Sequence, residues 1–274
     1  MMFIPCAIIP SFNHWQVLPK IIAEVRRLGL PVFVIDDGNT EPATSALAAL
    51  AAPEAGVTVH RLDRNLGKGS AVIVGFRLAT AGGFTHAVQL DADGQHDLAA
   101  LPQLLAAAAR YPEAVVSGAP VYDSSIPTGR KIGRWITHIW VFIETLSLRL
   151  TDTMCGFRVY PLAAVTALLA RESVGRRMDF DIEIMVRLFW RGVPPIMVPV
   201  RVVYPPGNPS NFDLWRDNLR ISLMHTRLVL TLLWRLPGIL SHRPPLLKDW
   251  HNGEVPQASG HNEGCLPRPG ENIR

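Results

Sequence analysis

Short apolar runs rich in β-branched residues alternate with Ala- and Leu-rich stretches through the first 120 residues. Phe3 to Ile9, Val32 to Ile35, Val57 to Leu62, His86 to Leu90 and Ala114 to Ser117 read as strands, being short and bounded by turn residues. Between them, Val17 to Leu28, Ala43 to Ala51, Ser70 to Thr80 and Leu98 to Arg110 have helical composition, with Asp97 placed to cap the last. This rhythm predicts an α/β fold on a doubly wound, mostly parallel sheet. Ligands of such sheets collect beyond the carboxyl ends of the strands, so polar residues there are the first candidates for function.

From Thr128 the pattern changes. Thr128 to Leu150 is a long amphipathic stretch, followed by a strand-like Gly156 to Tyr160, a helix around Phe180 to Trp190 and a strand at Ile196 to Tyr204. In the first stretch Ile132, Trp135, Ile136, Ile139, Trp140, Ile143, Leu146 and Leu150 recur at helical spacing, with Arg130, Lys131 and Arg134 gathered at its start. After a Pro/Gly/Asn-rich loop, Pro205 to Ser210, the run Phe212 to Leu236 repeats the theme: Trp215, Leu219, Leu223, Leu230, Leu233 and Trp234 lie beside Arg216, Arg220, Arg227 and Arg235. Aromatic anchors, a wide apolar face and basic neighbours predict helices that lie on a membrane surface. Packing on the domain's own core or in a homo-oligomer would bury the same faces. Trp250 to Arg274 lacks periodic apolar residues and reads as a disordered tail. The expected organisation is therefore one α/β domain over residues 1–204, containing the interfacial helix 128–150, then an amphipathic helical extension over 205–249 and a tail over 250–274.

Composition narrows the class. The 274 residues are 48% hydrophobic and 18% charged, enough to bury a large core, which excludes a disordered or fibrous chain. Residues 1–126 hold 8 basic and 11 acidic side chains and residues 127–274 hold 19 and 12, so the second half, at +7, is the one to face an anion or a lipid surface. That field is too sparse for wholesale nucleic-acid binding, and no zinc-finger, homeodomain or ribonucleoprotein pattern appears, so no nucleic-acid partner is expected. Cys6, Cys155 and Cys265 are odd in number and far apart, which points away from a zinc or disulfide framework and toward a reducing compartment. The start, Met1 to Cys6, has no basic n-region, and its apolar run meets Pro10 early, so no secretory signal is expected. The nearest approach to a membrane span, Ile221 to Leu240, is broken by His225, Arg227, Arg235 and Pro237. A cytoplasmic protein that touches a membrane without crossing it is the expectation.

The candidate chemistry sits at four strand ends. Asp91 and Asp93 follow a buried apolar strand, and side chains two residues apart on an extended segment point the same way, roughly 6 to 7 Å apart. Two hard oxygen donors so placed suit Mg2+ or Mn2+ carrying substrate phosphates, and Gln95 adds an amide oxygen. Solvated loop aspartates capping the next helix are the plainer reading of this motif alone. Asp36 and Asp37 end another strand, where carboxylates accept hydrogen bonds from a base or ribose. Pro10, Ser11, Phe12 and Asn13 end a third. The segment Asp63 to Ser70 ends the fourth, its glycines allowing close backbone approach and its Arg64 and Lys68 supplying positive charge near a helix start.

Taken together these motifs resemble family 2 glycosyltransferases. Pro10-Ser11-Phe12-Asn13 is similar to their Pro-x-Tyr-Asn start, Asp36-Asp37-Gly38 to their nucleoside-binding turn, Arg64 to Ser70 to their Arg-Asn-x-Gly-x-Gly segment, and Asp91-Ala92-Asp93 to their metal motif. Asp91 to His96 and Asp152 to Arg158 resemble the dolichyl-phosphate mannosyltransferase branch, and the resemblance runs from about Phe3 to Tyr204. It implies a GT-A (Rossmann-like) fold and an enzyme that moves a hexosyl group from a UDP or GDP sugar, with Mg2+ or Mn2+, to a lipid-like acceptor. It further implies that Pro10, Ser11, Asn13, Asp36, Asp37, Asn65, Gly67, Lys68, Asp91 and Ala92 hold the nucleotide sugar and that Asp91, Asp93 and Gln95 hold the metal. Asp152 falls where such enzymes place a carboxylate near the acceptor, a candidate general base, and Arg158 would meet phosphate or acceptor. With an acceptor that is already an anionic phosphate no base is needed, and Asp152 would only position groups.

An acidic residue near Asp181 and Glu183 often faces the active site in that family. Asp179 beside them is accounted for by favourable charge at a helix start. Arg201 either snorkels or meets phosphate, while the lone His86, His138 and His225 read as structural. Phe12, His14 and Cys155 depart from the usual Tyr, Glu and Ser, and bear on the acceptor more than on the donor. The stretch Tyr204 to Phe212 followed by Asp217-Asn218-Leu219-Arg220 resembles glycosyltransferases of bacterial aryl polyene pigment synthesis, which implies an aryl polyenyl acceptor in competition with a polyprenyl phosphate. The expected reaction is a single, inverting displacement at the inner face of a bacterial cytoplasmic membrane. A sugar-nucleotide pyrophosphorylase would need a Gly-rich start with Arg and Lys, and a nicotinamide dehydrogenase a glycine fingerprint after the first strand; neither is present. A non-catalytic membrane-associated nucleotide-sugar binder would keep the amphipathic helices but has no use for four polar strand ends.

Overall fold

The computed structural model describes residues 2–121, 128–202 and 211–247. The loop Pro205 to Ser210, Tyr204, the tail 250–274 with Cys265 and the side chain of Arg130 lie outside the described residues.

Seven strands form one sheet in the order β3-β2-β1-β4-β6-β5-β7. They are β1 (Pro5–Ser11), β2 (Val32–Asp36), β3 (Val57–Arg61), β4 (His86–Gln89), β5 (Val115–Val121), β6 (Arg158–Pro161) and β7 (Pro195–Arg201). All pairings are parallel except those of β6, which runs antiparallel between β4 and β5. The helices are α1 (Leu18–Arg27), α2 (Ala43–Ala48), α3 (Lys68–Ala81), α4 (Leu101–Arg110), α5 (Thr128–Thr145), α6 (Leu162–Leu169), α7 (Phe180–Trp190) and α8 (Leu214–Ser241).

Alternation along β1 sorts the core into two layers. Cys6 and Ile8 face one way, packing with residues of α3, α6, α7 and α8. Ala7 and Ile9 face the other, with α1 and α4. The sheet is thus covered on both faces, the doubly wound arrangement expected from the pattern.

The first strand extends two residues past its expected end. Ile8 O accepts from Leu90 N and Ser11 O from Asp37 N, so even residues of β1 address β4 and odd ones β2. Pro10, which has no N–H, therefore points past the end of β4 at Gln89, where no ladder bond is lost. Asp97 accepts from Ala99 N at 3.0 Å, capping the turn before α4 as expected. The ends of β1, β2 and β3 lie in register, Ser11 against Asp36 and Asp36 against Arg61, so all four polar strand ends share one edge.

Beyond β7, α8 is longer than the pattern suggests and continues through Pro237. It packs on α5 and α7 through Met224, Leu228 and Leu232. Its outer face and that of α5 stay open: Trp135 is 65% exposed, Trp215 88% and Trp234 89%. No helix among the described residues is long and apolar enough to cross a membrane.

Candidate active site

The corner expected to hold the nucleoside is assembled by side chains reaching between strand ends. Asp36 Oδ1 accepts from Asn39 N at 2.9 Å and Asn39 Nδ2 at 2.7 Å, and the same amide donates to Ser11 O at 2.9 Å. Asn39 Oδ1 accepts from Asn13 N at 2.8 Å, with Asn13 in the left-handed region (φ 63°) that asparagine tolerates. Asp36 Oδ1 thereby folds its own turn inside the protein. Asp37 accepts from Leu66 N at 2.8 Å and Gly67 N at 2.9 Å, pinning the loop that opens α3. Burial pushes its carboxyl upward against the pull of those two amides. Gly38 (φ 72°) lets the turn pass the backbone of Arg64, whose carbonyl carbon a Cβ would meet at 2.2 Å. Asn65 Oδ1 accepts from Arg177 Nη1 at 3.0 Å, a partner the sequence reading did not propose.

The aspartate pair expected to bind metal follows β4. Asp93 Oδ1 accepts from Gln95 N at 3.0 Å, and Ala92 between the two aspartates is buried. Lys68 Nζ lies 2.7 Å from Asp91 Oδ1, and His96 Nε2 3.4 Å from Asp91 Oδ2. Burial opposes the charge of Asp91, but Lys68 and His96 outweigh it and hold the carboxyl well below the usual carboxylate range. Asp93 is pushed up, by burial first and the Asp91 charge second. Gly156 cradles the Asp91 carboxylate so closely that a Cβ there would lie 2.4 Å from Oδ2 and 2.5 Å from Oδ1. His96 is a further residue missed in the sequence, where a lone histidine after an acidic motif carries no metal-ligand spacing.

No group of three His, Cys, Asp or Glu side chains among the described residues could cage a cation. Two carboxylates fit a divalent ion whose remaining ligands come from substrate phosphate and water.

On the acceptor side, Asp152 Oδ1 accepts from Met154 N at 2.9 Å and Cys155 N at 2.8 Å. Its Oδ2 pairs with Arg134 of α5 and lies 3.5 Å from His138 Nε2. Burial alone would raise this carboxyl, yet His138, Arg134 and the amide bonds hold it at about 2. In the sequence Arg134 reads only as part of a basic helix start, and His138 only as structural.

Two expected site residues have their side chains engaged elsewhere, and a third lies exposed at a strand end. Arg158 is fully buried and donates to Ser117 Oγ, Tyr160 OH, Thr153 O and Asp181 O, so four of its five guanidinium hydrogens tie loop to helix inside the core. Glu183 accepts from Gly175 N, Arg187 and Arg227 at 2.8, 2.7 and 2.5 Å. Two residues apart on a helix means nearly opposite faces, so Glu183 turns toward α8 while Asp181 turns to Lys68, at 2.6 Å. Arg201 is exposed at the end of β7, where its carbonyl accepts from Asp97 N.

A mostly parallel mixed sheet flanked by helices, with an aspartate pair and a second acidic turn on its carboxyl edge, is the architecture of GT-A glycosyltransferases. The chain belongs to glycosyl transferase family 2, which it matches over residues 6–169. It is 30% identical over 203 residues to undecaprenyl-phosphate mannosyltransferase of Micrococcus luteus, covering 72% of this chain and 82% of the relative. To polyprenol monophosphomannose synthase of Mycolicibacterium smegmatis it is 28% identical over 207 residues, 70% of this chain and 75% of the relative. A mannosyltransferase from Pyrobaculum calidifontis, solved with GDP-Man and Mn2+, shares the fold with a TM-score of 0.55 at 16% identity, over 88% of this chain and 74% of that one.

Proposed function

We propose that the protein transfers a sugar from a nucleoside diphosphate sugar to a polyprenyl-phosphate-type lipid at a membrane surface, by a single inverting displacement. The observation that carries the acceptor class is the state of Asp152. Its carboxyl, at about 2, is already bonded to two backbone amides and to Arg134, so it is a weak base for removing a hydroxyl proton at neutral pH. A phosphate monoester arrives ionised and needs none. The two polyprenol-linked relatives above use lipids of this chemistry by name.

On the donor side, Asp91 and Asp93 would hold the divalent ion, with Gln95 adding its amide oxygen. The ion supplies Lewis-acid stabilisation of the charge that grows on the diphosphate as the glycosidic bond breaks. Asp37 fixes the loop over which the nucleotide lies. Lys68, at the start of α3, adds positive charge to the same region. Arg134, kept in place by Asp152, presents a cation on the acceptor side.

The open faces of α5 and α8 support a lipid surface as the second partner. Their exposed tryptophans sit on helices that carry Lys131 and four arginines, Arg216, Arg220, Arg227 and Arg235, which also pair with Asp213, Asp217, Glu183 and Glu172, so apolar area with a partly neutralised basic rim is what would meet an anionic bilayer. This makes the protein a peripheral one on the cytoplasmic face. The test is Mn2+-dependent donor turnover by Asp93→Ala: loss of transfer is expected, and turnover near that of the parent contradicts the donor-site reading.

A further inference from the structure

One cation is already built into the donor site. Lys68 is placed with its ammonium between two carboxylates, 2.7 Å from Asp91 Oδ1 and 2.6 Å from Asp181 Oδ2. Asp181 is itself held by two residues, one of them braced by a third. Gln89 Nε2 donates to its Oδ1 at 2.8 Å, Arg158 Nη1 donates to its carbonyl at 2.6 Å, and Tyr160 OH fixes Gln89 through Oε1 at 3.3 Å. The remaining oxygen, Oδ2, is aimed at Lys68. Asp181 is 5% exposed, and no other described acidic side chain pairs with the ammonium.

We propose that Lys68 is a resident cation of the donor site, held there by Asp181 as a positioning residue, so that Asp91 accepts a divalent ion only when a nucleoside diphosphate accompanies it. This rests on the donor-site reading above. The physical reason is charge. A free divalent ion approaching Asp91 meets an ammonium within van der Waals reach of the same oxygen, and like charges at such separations repel strongly in a partly dry site. A diphosphate brings negative charge of its own, which offsets that repulsion and gives the ion further oxygens. Asp181 sets the balance by taking a share of the ammonium; without it, Lys68 rests wholly on Asp91.

The two partners therefore have opposite effects on metal binding, which a merely structural role for either would not produce. Mn2+ binding is read from its electron paramagnetic resonance signal, with the full chain alone and with GDP or UDP. The parent protein is expected to bind Mn2+ weakly alone and tightly with one of the nucleotides. Lys68→Met, which removes the ammonium that competes for Asp91, is expected to tighten nucleotide-free Mn2+ binding by about tenfold or more. Asp181→Asn is expected to weaken Mn2+ binding in the presence of nucleotide severalfold and to leave nucleotide-free binding no tighter. Lys68→Gln carries the same expectation if the methionine variant does not fold, as judged by its melting curve. Nucleotide-dependent Mn2+ binding in the parent, with both variants shifted the same way or Lys68→Met unshifted, overturns this proposal alone. A parent that binds no Mn2+ with either nucleotide overturns the donor-site reading along with it.

Discussion

Asp152 shows how one side chain's surroundings decide its chemistry. Its carboxyl stands at about 2 against an ordinary 3.8, because His138, Arg134 and two backbone amides outweigh burial. A carboxyl depressed by folding contributes stability that is complete above its ordinary value and is lost as the pH falls toward the folded one. The parent protein should therefore lose stability between about pH 4 and pH 2, and Asp152→Asn should flatten that part of the profile in melting curves taken across the range. At neutral pH the same variant weakens the pairing of half-buried Arg134 with this side chain, at a cost of about 1 kcal/mol. Gly156 gives a second residue-scale expectation. A methyl group there would press on both oxygens of Asp91, so Gly156→Ala should abolish most transfer, and undiminished kcat would show that Asp91 tolerates displacement. Most of this site was legible in the sequence because aspartates, glycines and lysine recur at strand ends, where the fold collects ligands. Arg177, His96 and Asn39 were not, because each reaches the site through a contact that only tertiary structure creates. Arg158 and Glu183 misled for the converse reason: a charged residue in a familiar motif looks the same whether its donors and acceptors face a substrate or the core.

At the scale of elements, α5 and α8 are joined by a buried pair. Glu144 Oε1 lies 2.7 Å from His225 Nδ1, Trp140 stacks on the same imidazole, and Trp190 donates to Glu144 O. The inner faces of the two helices are thereby committed to the fold, and the outer faces are left for another partner. Replacing Trp135, Trp215 and Trp234 together by Ser should leave the melting temperature within a few degrees of the parent, since exposed side chains add about 0.5 kcal/mol or less each. The same variant should lose flotation with anionic vesicles. Unchanged flotation would assign these faces elsewhere, a second copy of the chain being the alternative that sedimentation would detect. The elements themselves were largely readable, since strands and helices of the first half differ in length and periodicity. Helix α6 escaped because Leu162 to Leu169 is apolar almost throughout and has no polar face to give it a period. Helix α8 outran its expected end because Pro237 removes one donor yet the helix resumes beyond it, with His242 N bonding to Gly238 O.

Across the whole molecule the two halves divide the work. The first half, net −3, builds the donor edge around a cation, and the second, net +7, carries the open amphipathic helices. Binding to anionic vesicles should therefore weaken as salt rises, because exposed charges are screened within about 10 Å at 0.1 M ionic strength, while the apolar contribution persists. In the proposed reaction a charged donor and a charged lipid head would meet with Asp152 already engaged by Arg134 and two backbone amides. The most direct test compares two acceptors in one assay: vesicles holding undecaprenyl phosphate and vesicles holding undecaprenol, each with Mn2+ and a panel of nucleotide sugars, read by mass spectrometry of the extracted lipid. A glycosylated product from the phosphate and none from the alcohol is the predicted result; equal transfer to the neutral alcohol would contradict it.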